Sequence, residues 1–261
     1  MSAASPAARR VALLLALCGG MPAAGCAPPP PPGPAPAADA ARPLLRPVPV
    51  PAAFHAAVAR GTRTLTGAPG PAYWQQEVRY RIEAELEPAT ALLRGRAWIV
   101  YRNRSPGPLR SLVLNLYQNV YAPGVPRNRF VTETGGVTLE RVALGGAAPR
   151  ELAPVELAEV RDEPPADAPA GYAVRGTLAR VVLPAPLAPG DSTVLEVAWR
   201  HAVPRAPSFR TAYSDGARRG TGFLVGQWYP QVAVFDDLAG WDATPYLGDG
   251  EFYLEWGSFD V

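Results

Sequence analysis

Apolar and polar residues alternate with a period of two along most of the chain after Tyr73, and this period is typical of strands with one buried face. In residues 78–86 the apolar side chains alternate with Arg and Glu, and residues 95–103 repeat the pattern after the turn sequence Glu-Pro-Ala-Thr. Further strands are predicted at residues 112–116, 137–144, 172–183, 193–199 and 251–261. The sequence therefore predicts an all-β domain, an antiparallel sandwich or saddle of two sheets, over residues 73–261.

Residues 1–25 have the three parts of a secretory signal peptide. Arg9 and Arg10 precede an apolar run at residues 11–17, and small residues follow at 23–25. The apolar run is shorter than the about 20 residues that a membrane-spanning helix needs. Cys26 then resembles the acylated cysteine of a bacterial lipobox, although Ala23 stands where such signals usually have Leu. We expect lipidation at Cys26, with plain secretion as the alternative.

Residues 26–72 are predicted to be a tether between the signal peptide and the β domain. Residues 27–51 contain 11 of the chain's 32 prolines and no aromatic residue, so this segment is too poor in core-forming side chains to fold by itself. Its prolines favour an extended, disordered spacer. The Ala-rich residues 52–60 are compatible with one short helix.

The charge balance gives no support for nucleic-acid binding. The chain has 25 basic and 23 acidic residues, and loss of the two leader arginines would leave the two signs equal. A nucleic-acid interface needs a concentrated basic face. We therefore expect partners other than nucleic acid.

The last forty residues carry a set of motifs in a fixed order. Ten of the chain's 23 aromatic residues lie between Phe223 and Phe259, within the sequences Trp-Tyr-Pro, Gly-Trp, Pro-Tyr and Gly-Glu-Phe-Tyr. Upstream are Tyr-Trp-Gln-Gln at 73–76, Leu-Asn-Leu-Tyr at 114–117 and Leu-Ala-Pro-Gly-Asp at 187–191. Together these motifs resemble the N-terminal β domain of the M1, aminopeptidase N-like, zinc metallopeptidases of bacterial envelopes.

This resemblance implies that a following catalytic domain supplies the zinc and hydrolyses peptide bonds. The chain stops at Val261, so we expect it to lack that domain and to be inactive alone. Its expected partners are the catalytic domain, a peptide substrate and, through a lipid anchor, the membrane. The expected location is the periplasmic face of the outer membrane, or the exterior if the protein is simply secreted.

The sequence contains no candidate catalytic residue or metal site. His55 and His201 are its only histidines, and the H-E-x-x-H and G-x-M-E-N motifs of M1 enzymes are absent. For both histidines we expect a surface or structural role. The acids at 236, 237, 242, 249 and 251 lack the spacing of a calcium loop and are expected to be solvated turn residues. Zinc is expected only with the catalytic domain.

The resemblance also implies two substrate-binding residues, Gln227 and Tyr229. In M1 aminopeptidases a Gln-x-Glu or Gln-x-Gln loop of this domain holds the free α-amine of the substrate. Gln227 matches the first position of that loop, whereas Tyr229 replaces the second acceptor. This replacement puts strict aminopeptidase specificity in doubt.

The aromatic residues of the same region suggest an alternative function. Trp228, Tyr229, Trp241 and Tyr246 could form a binding face. The chain would then be a freestanding β-sandwich that binds a peptide, a glycan or a protein partner in the envelope. In the M1 reading these aromatic side chains pack between the sheets and against the catalytic domain.

Overall fold

The computed structural model describes residues 49–208, 210–216 and 220–261. Within these residues there is one α-helix, α1 (Ala52–Ala59), and one 3-10 helix (Tyr117–Tyr121). The strands are β1 (Glu77–Glu87), β2 (Leu92–Arg102), β3 (Leu109–Asn115), β4 (Thr138–Leu144), β5 (Arg150–Glu151), β6 (Gly171–Arg175), β7 (Leu178–Leu187), β8 (Ser192–Ala202), β9 (Thr211–Gly216), β10 (Gly220–Val225), β11 (Gln231–Val232), β12 (Phe235–Asp236), β13 (Gly240–Trp241) and β14 (Gly257–Asp260).

Two larger sheets form the domain, as the sequence predicted. One has six strands in the order β14-β1-β2-β8-β4-β5, and the other has four in the order β11-β3-β7-β6. The hairpins β9–β10 and β12–β13 form separate two-stranded sheets. Pairing is antiparallel except between β14 and β1, which run parallel. The prediction of a two-sheet all-β domain is confirmed, with this one parallel pair as an exception to its antiparallel pattern.

The main hydrophobic core contains residues from both sheets. In β1 the predicted alternation places Val78, Tyr80 and Ile82 in the core, each at most 6% exposed. In β2 the inward residues are Ile99 and Tyr101, which are 0% and 1% exposed. Strands β3 and β7 supply the facing apolar side chains of the second sheet. Burial of these two faces against each other is what joins the sheets.

Strand β3 departs from the simple alternating pattern because both of its faces are covered. Leu112 and Leu114 belong to the main core, while Val113 packs in a second cluster that includes Val160 and Leu178. All three β3 residues are 0% exposed. The sequence around them is accordingly a nearly continuous apolar run.

Two predicted strands are wrong in extent. Residues 172–183 form the hairpin β6–β7 rather than one strand, because the chain turns at Gly176, whose φ is +58°. In residues 251–261 only β14 is a strand. Phe252 packs instead on the ring of Tyr117, with 4.7 Å between the ring centroids. Residues 251–256, where Phe252 makes this contact, therefore do not form the predicted strand.

The compact unit begins at Pro49, upstream of Tyr73, the predicted start of the β domain. The short helix expected near residues 52–60 is present as α1. Arg63 then binds the carboxylate of Asp237, with its Nε 2.9 Å from Oδ2 and its Nη2 2.6 Å from Oδ1. The Asp237 side chain is 1% exposed. This ion pair attaches the segment after α1 to the β domain.

Candidate functional site

Gln227 follows β10 and has a left-handed backbone conformation, with a φ of +47°. A residue with a side chain rarely adopts this conformation, which costs on the order of 1–3 kcal/mol unless surrounding contacts enforce it. The side chain of Gln227 is half-buried. The contacts around this turn therefore define the candidate site.

The side-chain amide of Gln118, in the 3-10 helix, holds the turn from one side. Its Nε2 donates to the carbonyl oxygens of Gly226 (2.7 Å) and Gln227 (3.3 Å) and to Thr211 Oγ1 (3.0 Å). Thr211 Oγ1 also donates to Gly226 O (2.7 Å) and accepts from the Gly226 N–H (3.1 Å). Gly226 is required here, because a Cβ at this position would lie 2.8 Å from the carbonyl oxygen of Arg210.

Strand β8 holds the other side of the turn. The carbonyl oxygen of Trp228 accepts hydrogen bonds from Trp199 Nε1 (3.0 Å) and from His201 Nε2 (3.2 Å). His201 is 2% exposed, and burial lowers its pKa below the ordinary histidine value. A neutral ring with its proton on Nε2 fits these contacts. His201 therefore has a structural role, one of the two roles expected for it.

Gln227 and Gln118 line a small cavity next to the turn. Its volume is about 10 Å³, enough for one water-sized group. Burial raises the pKa of the hydroxyls of Tyr117 and Tyr246, so both stay protonated at neutral pH. The lining residues are Tyr117, Gln118, Val120, Tyr121, Arg210, Thr211, Gln227 and Tyr246.

Tyr229 does not line this cavity. Its ring makes edge contacts with Tyr80, Phe259 and Trp228, at centroid distances of 5.7, 6.1 and 5.1 Å. Burial also raises its pKa. The structure thus places the two residues inferred from the family loop in different surroundings. Gln118, which no sequence motif indicates, lies beside Gln227 instead.

The aromatic residues considered as a binding face are mostly packing residues. Trp228, Tyr229 and Trp241 pack against the main core, and Tyr246 packs against the cluster that includes Tyr121. The exposed aromatic side chains among the described residues include Phe130 (97%) and Trp256 (85%). The candidate face is therefore largely internal.

The described residues do not fit a zinc site. They contain no group of three or more His, Cys, Asp or Glu side chains able to hold a metal. His55 is exposed on α1, and His201 is committed to the Trp228 carbonyl. Of the acids, Asp236 accepts from the backbone N–H groups of residues 238 and 239. The expectation of a solvated side chain is wrong for Asp237, which is 1% exposed because it pairs with Arg63. We assign no chemical step of this chain to zinc.

A second, larger cleft of about 560 Å³ lies near the start of the domain. On one side Trp74 stacks on Phe235, with 5.6 Å between the ring centroids. Pro106 and Pro108 line it as well, and Arg60 contributes a charged side chain. Its volume is in the range of small-molecule and peptide sites.

Cys26 and the expected signal peptide lie outside the described residues. Among the described residues, none of the helices has the length and apolarity required to cross a membrane.

Comparison with known proteins found similarity only among solved structures. No family model matches the chain, and no curated protein matches it. An M1 zinc metallopeptidase from Deinococcus radiodurans is similar at a TM-score of 0.31 and 15% identity, covering 58% of this chain. A mutant of that enzyme bound to a Tyr-Ser-Ala substrate is similar at the same TM-score and 14% identity, covering 59%. The matches span 28% and 29% of those chains, well under half of their length.

Proposed function

We propose that this chain is the N-terminal, non-catalytic β domain of an exported M1-like zinc metallopeptidase. In this proposal Gln227 contacts the N-terminal amine of a peptide substrate, and Tyr229 supports the same loop from the core. The observation that carries the proposal is the conformation of Gln227. Gln227 matches the first position of the family loop, and its left-handed turn lies beside a water-sized cavity.

In the proposed full-length protein, zinc bound by the catalytic domain would activate a water molecule for peptide hydrolysis. The present chain would contribute an acceptor for the substrate amine. Alone, it is expected to hydrolyse no peptide. An assay on aminoacyl and endopeptidase reporters tests this, and hydrolysis that a chelator blocks and zinc restores would refute it.

Binding of a free amine to the isolated chain tests the role of Gln227. The probe is L-leucinamide at pH 6.5, where its amine is mostly protonated. The ¹⁵N-labelled side-chain amide of Gln227 should shift on titration with leucinamide and not with N-acetyl-leucinamide. Gln227→Ala should weaken binding by about tenfold, the effect of losing a hydrogen bond to a charged group. Unchanged binding by this variant would refute the role of Gln227.

Export and lipid anchoring at Cys26 belong to the same proposal. The lipobox-like sequence and the proline-rich residues after it support this reading. In a Gram-negative host the wild type should incorporate labelled palmitate and partition into detergent. Cys26→Ala should lose both properties while keeping the circular dichroism of the β domain. Equal labelling of the variant would support plain secretion instead.

The second candidate function is a freestanding binding module. The cleft between Trp74 and Pro108 favours it, because its volume suits a peptide or glycan segment. Under this alternative a peptide or glycan array should give ligands whose affinity falls with Trp74→Ala and is unaffected by Gln227→Ala. The opposite dependence would support the M1-like domain.

A further inference from the structure

Three arginine side chains line a cleft of about 400 Å³ beside the β12–β13 hairpin. They are Arg110 in β3, Arg161 in the segment between β5 and β6, and Arg180 in β7. Among the described residues that line this cleft, Glu163 has the only carboxylate. Asp162 also acts on Arg180 but lines the adjoining cleft of about 380 Å³. The guanidinium groups, which stay charged at any physiological pH, therefore outnumber the carboxylates around them.

Arg180 supplies charge to the cleft but no free hydrogen-bond donor at its surface. Its side chain is 1% exposed. It donates to the carbonyl oxygens of Val160 (2.7 Å) and Arg161 (2.9 Å) and to Ser111 Oγ (2.7 Å). Its Nη1 also lies 3.1 Å from Glu163 Oε2. A buried charge of this kind is screened less by water than an exposed one, so it favours an anion in the cleft from a distance.

Arg161 and Arg110 are the arginines that an anion from solvent can reach. Arg161 is exposed, and its guanidinium group forms no ion pair or hydrogen bond within the part of the chain that the structure describes. The Arg110 side chain is 40% exposed. Its Nη2 donates to the Pro164 carbonyl oxygen (3.1 Å), and its Nε is 3.9 Å from Glu163 Oε1. Glu163 is thus shared between Arg110 and Arg180, and no carboxylate serves Arg161.

The opposite side of the cleft is apolar. Phe235 and Trp241, the cross-strand pair of the β12–β13 hairpin, line it together with Pro108 and Leu109. The two rings are half-buried, with 5.1 Å between their centroids. None of the described residues that line this cleft has a hydroxyl or amide side chain. A glycan, whose hydroxyl groups need many hydrogen-bond partners, therefore matches the cleft poorly.

We propose that this cleft binds a small amphipathic monocarboxylate. The carboxylate group pairs with Arg161 and Arg110, since a guanidinium group offers parallel N–H donors that match a carboxylate. The aromatic or alkyl part of the ligand lies on the two rings of the hairpin. The volume of about 400 Å³ is within the range of small-molecule sites. The cleft does not include Gln227, so this inference goes beyond the proposed function and does not depend on it.

The test uses the full chain with ¹⁵N-labelled tryptophan, so that the wild type reports without any substitution. Phenylbutyrate is the probe, with an expected Kd on the order of 1 mM. It should shift the indole N–H resonance of Trp241, which lines the cleft. Trp98 is the control for nonspecific anion binding, because Arg81 and Arg96 lie over its ring, and its resonance should not shift. Phenylbutanol, which lacks the charge, and butyrate, which lacks the ring, should each bind at least about tenfold more weakly.

Arg161→Gln removes a charge from an exposed residue, and Arg175→Gln is the matched control. Arg175 is also exposed, but it pairs with Glu159 at 2.8 Å and does not line the cleft. Arg161→Gln should weaken phenylbutyrate binding by about tenfold, and Arg175→Gln should leave it within about twofold. Glu163→Gln removes the carboxylate of the cleft while keeping an acceptor for Arg180, so it should strengthen binding by about twofold to fivefold.

The outcomes separate this inference from the proposed function. Equal shifts of Trp98 and Trp241, or equal weakening by the two arginine variants, would mean nonspecific anion binding and overturn the inference. Absence of a Trp241 shift at about tenfold the expected Kd would overturn it as well. Gln227→Ala should leave phenylbutyrate binding unchanged. Loss of leucinamide binding alone would therefore refute the role of Gln227, and loss of phenylbutyrate binding alone would refute this site.

Discussion

Gly95 lies in β2 directly opposite Trp199 of β8, and the two residues are cross-strand partners. A Cβ at Gly95 would lie 2.3 Å from Cζ2 of the Trp199 ring, far inside van der Waals contact. Trp199 is 0% exposed, and its Nε1 donates to the Trp228 carbonyl. The ring therefore has little room to move away, and Gly95→Ala should destabilise the domain.

The magnitude follows from three contributions. Overpacking a close-packed core costs about 1–3 kcal/mol. Displacement of the Trp199 ring also breaks its hydrogen bond to Trp228, a loss of about 1 kcal/mol. Replacing glycine in a strand returns about 0.5–1 kcal/mol, because the unfolded chain loses conformational freedom. The net expectation is a decrease of about 1–3.5 kcal/mol in the free energy of unfolding.

Urea denaturation followed by far-UV circular dichroism measures this change. Gly222→Ala is the matched control, because Gly222 lies in β10 and no heavy atom lies within 4 Å of its added Cβ. This control should stay within about 0.5 kcal/mol of the wild type. If Gly95→Ala also left the free energy of unfolding unchanged, the claim that the Trp199 ring is held in place by its hydrogen bond to the Trp228 carbonyl would be refuted.

Three further perturbations test other parts of the fold. His201→Gln should flatten the pH dependence of stability. The pKa of His201 is lowered in the folded state, so the stability that the neutral ring contributes is complete above about pH 6.5 and is lost as the pH falls below that value. Urea midpoints at pH 7.5 and 5.5 measure this, and an equal change of midpoint with pH in the wild type and the variant would contradict it. Arg63→Met leaves the buried Asp237 carboxylate without its cation, so it should lower the free energy of unfolding measured in urea by about 2–3 kcal/mol and speed proteolysis after α1. Unchanged proteolysis would mean that this ion pair does not attach the segment after α1 to the β domain. Trp256→Ser should reduce concentration-dependent self-association in sedimentation experiments while leaving stability nearly unchanged, because Trp256 is 85% exposed; a wild type that stays monomeric at high concentration would contradict this.

The sequence predicted well those strands that have one buried face and one solvated face. Strands β1 and β2 are examples, since Val78 and Ile99 point inward as alternation requires. The pattern failed where another contact determined the structure. The hairpin at Gly176 divides a mostly apolar segment that also contains Arg175 and Arg180, and a single glycine does not distinguish a turn from a bulge. Phe252 fits an extended strand by pattern, yet its ring packs on Tyr117.

The candidate site was predictable only in part, because it joins residues that are remote in the sequence. Gln227 was identified from its local motif, whereas Gln118 is 109 positions away from it and has no motif of its own. What distinguishes Gln118 is its place in a fully buried segment, where all ten residues from 111 to 120 are buried. Most buried side-chain amides are hydrogen-bonded at both ends. In Gln118 the nitrogen is bonded at the Gln227 turn, whereas Oε1 has no partner among the described residues. The sequence shows neither the burial of Gln118 nor its contact with the Gln227 turn, and only the fold brings the two residues together.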